Sequence, residues 1–180
     1  MASRPNRQID RRISQAPSPF MAYAIPWLLV ILGSVVPAWP VIVTAPLMPP
    51  FGFLVLLGWR QLRPGLLPVW SGFPLGLIDD LCSGQPMGSA MLLWSVSMMA
   101  LDIIEFRFPW RSFVMEWAVA SGMITAYLVC TTLIANASGG ASPLLQVLPQ
   151  IILAILLYPV VGRAVARCDQ FRLTRFRVIG

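Results

Sequence analysis

The feature that most restricts this chain is a series of apolar blocks, each close to twenty residues long, with arginines and prolines between them. They run from Phe20 to Trp39, Val41 to Trp59, Leu66 to Cys82, Gly88 to Phe106, Phe113 to Ile134 and Leu144 to Val161. A helix needs about 20 residues to cross a hydrocarbon layer of roughly 30 Å. A backbone in lipid must satisfy its own polar groups, as a helix or as a closed barrel, and these blocks lack the period-two alternation of barrel strands. Only 11% of the residues are charged, against about a quarter in soluble domains. The expected fold is an all-α integral membrane protein of six transmembrane helices. Residues 1–19 form a cytoplasmic basic tail, 20–162 the membrane domain and 163–180 a second basic tail.

The second block is the weakest span. Its Pro46, Pro49 and Pro50 suit a helix start better than a helix middle. The chain is expected to enter here as irregular backbone and become helical near Pro50, which is tolerable only under a cover of protein. Arginine-rich sequence ahead of the first block resembles a signal peptide, but without a small-x-small cleavage site the block is expected to stay attached.

All thirteen positive charges are arginine. If every block crosses, the N-terminal arginines, Arg60 with Arg63, Arg107 with Arg111, and the C-terminal set that includes Arg163 and Arg167 share one side. If the second block failed to cross, they would split four against nine. The positive-inside bias selects six spans with both termini in the cytoplasm of a bacterial inner membrane, with those six numbered arginines as topology anchors. The net charge of +6 therefore serves orientation in a lipid bilayer, and no nucleic-acid-binding pattern interrupts the apolar runs.

Histidine is absent, which excludes Ser-His and Cys-His nucleophile systems and most zinc sites. Cys82, Cys130 and Cys168 are too far apart for a disulfide framework or a CxxC pair. Asp79 and Asp80 are adjacent and point to different faces of a helix, while Asp102 and Glu105 belong to the opposite surface. A metal-dependent lipid transferase would want its acids converging at one depth. No catalytic, cofactor-binding or metal-binding residue is expected. Asp102, Glu105 and Glu116 read as an interfacial cluster pairing locally with Arg107 and Arg111, or else as a docking site for a cytoplasmic partner.

One stretch stands apart. Gly72, Gly76, Asp80, Gly84 and Gly88 recur every four positions. On a helix Gly72 and Gly76 make a smooth strip that another helix can approach closely, whether from this chain or from another protein. Gly84-Gln85-Pro86 should break the helix, giving helix, tight turn, helix. Asp80 is costly to bury and should be hydrogen-bonded, paired or hydrated. Its role is either a structural cap or interhelical bond, or partner binding or gating.

The pattern G-x-x-x-G-x-x-x-D-L-x-S-G-x-x-x-G, carried by Gly72, Gly76, Asp80, Leu81, Ser83, Gly84 and Gly88, resembles the signature hairpin of the rod shape-determining protein MreD family. Length, span number and basic ends agree with it, while Pro74 and Asp79 depart from it. The resemblance implies a non-enzymatic inner-membrane scaffold of the bacterial cell-wall elongation complex, involved in rod shape and lateral peptidoglycan synthesis. It implies work with the bitopic MreC, the actin-like MreB, the RodA glycosyltransferase and a class B penicillin-binding protein. It also implies a fold similar to the substrate-binding subunits of energy-coupling-factor transporters, and makes the seven hairpin residues a helix-packing or partner interface. The alternative is a small-solute-binding membrane subunit of a transporter, which would need a pocket between helices that opens outward.

Overall fold

Each apolar block contains one α-helix: α1 (Pro19–Val35), α2 (Phe51–Leu62), α3 (Gly72–Ser83), α4 (Ser89–Arg107), α5 (Phe113–Ala137) and α6 (Leu148–Leu173). Short 3-10 turns follow α1 and precede α3 and α6. This is a computed structural model, and it describes residues 19–38, 48–107, 112–140 and 143–173. The expected N-terminal tail, the connection at 40–46, Arg111 and the end of the C-terminal tail lie outside them.

Helix number agrees with the expectation, and helix length does not. Among the described residues three helices are long and apolar enough to cross a membrane: α4, α5, and α6 with its leading turn. By contrast α2 and α3 hold 12 residues each, about 18 Å of helix. The third block becomes α-helical at Gly72, not Leu66. Pro68 biases the residue before it away from the helical region, and a 3-10 turn occupies Val69–Ser71. Pro74 sits in the first turn of α3, where a missing N–H is cheap. At the other end of the chain, α6 continues through Arg163 and Arg167 to Leu173, where a tail was expected from 163. A helix bonds its own backbone, so leaving the apolar layer does not by itself end it.

The second block, the weakest span of the sequence, supplies the centre of the core. Phe53, Leu54, Leu56, Leu57 and Trp59 of α2 are all fully buried, and α2 packs against α1, α5 and α6. A helix that is apolar all round belongs inside. Surrounded by protein, α2 has no need to match the thickness of the lipid. Residues 48–50 ahead of it are not helical, as Pro49 and Pro50 dictate. Gln150 Nε2 of α6 donates to the Met48 carbonyl at 2.6 Å, which supplies the cover that irregular backbone requires at this depth.

Two further features lock the bundle. A Cβ on Gly33 of α1 would lie 3.0 Å from the Gly52 Cα of α2, so these helices cross backbone to backbone. In α6, Pro159 has no N–H to donate to the carbonyl four residues earlier, that of Ile155. The Trp117 indole of α5 donates to that carbonyl instead, at 3.3 Å, tying α5 to α6 at the point where the helix is weakened.

Candidate partner-binding hairpin and its charged counterpart

The first N–H groups of any helix lack partners within it. At the start of α4 the partner comes from α3. Asp80 Oδ1 accepts from the Ala90 amide (2.8 Å) and the Ser89 hydroxyl (3.1 Å), and Oδ2 accepts from the amides of Gly88 (2.9 Å) and Met91 (3.1 Å). The residue is 2% exposed. A carboxylate at a helix N-terminus is also favoured by the helix dipole. Asp80 thus staples the end of α3 to the beginning of α4, and both of its oxygens are occupied within the chain.

The glycine strip faces the same way. A Cβ on Gly72 would lie 2.8 Å from the Trp94 carbonyl oxygen, and one on Gly76 would lie 2.6 Å from the Met91 Cα. The surface on which a helix can approach is therefore filled by α4 of this chain. Gly84 ends α3 in the left-handed region (φ +67°), and Gly88 (φ +93°) turns the chain into α4. Leu81 points outward, 66% exposed. The Ser83 hydroxyl is enclosed without a hydrogen-bond partner.

Asp79 leaves α3 on a different face. The Tyr127 hydroxyl of α5 donates to its Oδ2 at 3.5 Å, at the long limit of a hydrogen bond, and the Ser34 hydroxyl lies beside it outside hydrogen-bond geometry. Tyr127 in turn stacks on Phe53 with ring centroids 4.3 Å apart. This buried polar group joins α3 to α5 beside the first turn of α2.

The opposite end of the bundle is held by ion pairs. Arg60, at the end of α2 and 4% exposed, donates from Nη2 to Asp102 Oδ1 (2.6 Å) and reaches Glu105 Oε2 (3.1 Å). Arg63 holds Asp169 Oδ2 of α6 through Nε (3.0 Å) and Nη2 (2.9 Å). The sequence expectation pairs Asp102 and Glu105 locally with Arg107 and Arg111; the partner that both acids share in the structure is Arg60, from another helix. A spacing of three puts both carboxylates on one face of α4, and that face meets α2. Arg107, Arg163 and Arg167 are exposed, and Arg111 lies outside the described residues. The C-terminal ends of α2, α4 and α6 are therefore brought together, and the Asp80 turn stands at the far end of α4, a helix of 19 residues or about 28 Å.

Several residues at these sites escaped the sequence reading: Asp169, Tyr127, and the crossing glycines Gly33 and Gly52. Asp169 had a visible signal, a lone acid among the C-terminal arginines. The others depend on contacts between distant segments. Among the described residues no three of the His, Cys, Asp and Glu type converge as metal ligands.

A family model described as rod shape-determining protein MreD matches residues 18–164. No curated protein and no solved structure matches the chain.

Proposed function

Because the chain belongs to the family of rod shape-determining protein MreD, its role lies in determining rod shape, and we propose that it acts as a non-enzymatic scaffold which holds the single membrane helix of an MreC-type partner. The observation that carries this reading is the outer face of the hairpin. Leu92, Val96, Met99, Ile103 and Phe106 of α4 are each more than half exposed, and their spacing alternates four and three. That is the seam one further helix packs against. The neighbouring α3 adds exposed Phe73, Leu77 and Leu81. Lipid is as apolar as leucine, so a partner helix is chosen by fit and not by hydrophobicity. The glycine strip and Asp80 serve by holding α3 and α4 as one rigid face.

The same proposal places the protein in the bacterial inner membrane with both termini in the cytoplasm. The thirteen arginines and the pairing of the α2, α4 and α6 ends support that orientation. The arginine end would then meet the MreB system, while RodA and the class B penicillin-binding protein would join through the remaining lipid-facing surfaces in lateral peptidoglycan synthesis. A bundle of six helices with α2 buried among the others supports the expected similarity to the substrate-binding subunits of energy-coupling-factor transporters. The small-solute alternative would need a pocket that opens outward, whereas the cavity that Gly58, Trp117 and Tyr158 line between α2, α5 and α6 lies at the arginine end.

A photocrosslinking amino acid placed at Val96 or Leu77 in the full chain, in growing cells, tests the reading. Adducts with the single-span partner should form at these two positions and not at Leu133 or Leu156, which are also exposed. Adducts confined to the α5 and α6 positions would overturn it.

A further inference from the structure

A cavity of about 200 Å³ lies between α2, α5 and α6 at the arginine end. Its walls are apolar apart from the Tyr158 hydroxyl, Gln61, and two charges of opposite sign, Glu116 of α5 and Arg163 of α6. Two features of the sequence make the room. Pro159 interrupts the α6 hydrogen-bond ladder beside the cavity, and Gly162 presents no side chain to it: a Cβ there would meet nothing within 4 Å. Tyr158 is already engaged, donating to Gln61 Oε1 at 2.8 Å.

The two charges are treated differently from the rest of this end. Arg60 and Arg63 are ion-paired with Asp102, Glu105 and Asp169. Among the described residues neither Glu116 nor Arg163 has an ion-pair partner. Glu116 stands in the first turn of α5, and Arg163 follows a run of apolar residues in α6, so both sit at the edge of the apolar layer. Phe113 and Trp117 flank them on the exposed side, 67% and 38% exposed, as aromatic residues do at a lipid headgroup boundary.

We propose that this cavity binds the headgroup of a zwitterionic aminophospholipid, with its phosphate on Arg163, its ammonium on Glu116, and an acyl chain passing out beside Trp117. An anionic lipid would satisfy Arg163 and meet repulsion from Glu116. An ethanolamine headgroup satisfies both charges at once, and its ammonium can donate hydrogen bonds to the carboxylate. The occupant is independent of the MreC-type partner, whose proposed seam is on α3 and α4.

The test is native mass spectrometry of the full chain released from detergent after incubation with phosphatidylethanolamine or phosphatidylglycerol. The wild-type chain should retain phosphatidylethanolamine about tenfold more than phosphatidylglycerol, the scale expected of one charge-assisted contact. Glu116→Gln should erase that preference. Gly162→Leu, whose Cβ would enter open space beside the cavity, should reduce retention of both lipids while leaving helix content unchanged. Equal retention of the two lipids by the wild-type chain, a preference for phosphatidylglycerol, or retention unaffected by both substitutions would overturn the proposal.

Discussion

The Asp80 carboxylate survives at 2% exposure because three backbone amides and one hydroxyl bind it. Asp80→Asn keeps the shape but replaces one acceptor oxygen with a donor, leaving at least one N–H group at the α4 start facing an NH₂. Removing such partners from a buried site costs about 1–3 kcal/mol, which should appear as a lower unfolding midpoint in a detergent titration. Glycine positions divide just as sharply. At Gly76 an added Cβ would meet backbone at 2.6 Å, and at Gly122 it would meet nothing within 4 Å. Gly76→Ala should therefore cost about 1–3 kcal/mol through overpacking, while Gly122→Ala should be neutral or stabilise by up to about 1 kcal/mol. Comparing the two midpoints isolates the close helix approach from any general effect of alanine.

Among the elements, the α3–α4 hairpin was legible because its determinants are local. The four-residue glycine spacing, the Gly84–Pro86 break and the carboxylate one turn beyond the strip can all be read within seventeen residues. What could not be read was which helix fills the strip, since that depends on where α4 returns. The onset of α2 after Pro50 was equally local, yet its central position was hidden. Twelve residues give a weak hydropathy signal, and only the arrangement of α1, α5 and α6 around it makes it the core. Charge pairing failed for the same reason. Arg107 is near Asp102 and Glu105 in sequence, but Arg60 reaches Asp102 from 42 residues away and Glu105 from beyond it. That bridge leads to a prediction for the α2–α4 contact. Replacing both acids, as Asp102→Asn with Glu105→Gln, strips a buried guanidinium of its counterions and should cost about 3–5 kcal/mol. Asp102→Asn alone should cost less, because Asp102 is 59% exposed and Glu105 remains beside Arg60. Thermal denaturation of the wild type and the two variants in the same detergent checks the order.

At the scale of the whole molecule the bundle has two unlike ends. One gathers the ends of α2, α4 and α6 through arginine–carboxylate pairs. The other closes the α3–α4 turn with Asp80 and leaves Met87 68% exposed. Between them, apolar side chains on α3 and α4 cover a face with the spacing of a helix seam. The reading of this protein as an inner-membrane scaffold requires the arginine end to be cytoplasmic and the Asp80 turn to face outward. Single cysteines at Gly65, in the exposed connection after Arg63, and at Met87, in a chain freed of its native cysteines, test this with a membrane-impermeant maleimide. The account predicts labelling at 87 in cells with a permeabilised outer envelope and intact inner membrane, and labelling at 65 only after the inner membrane is opened. Labelling at 65 while that membrane is intact would contradict it.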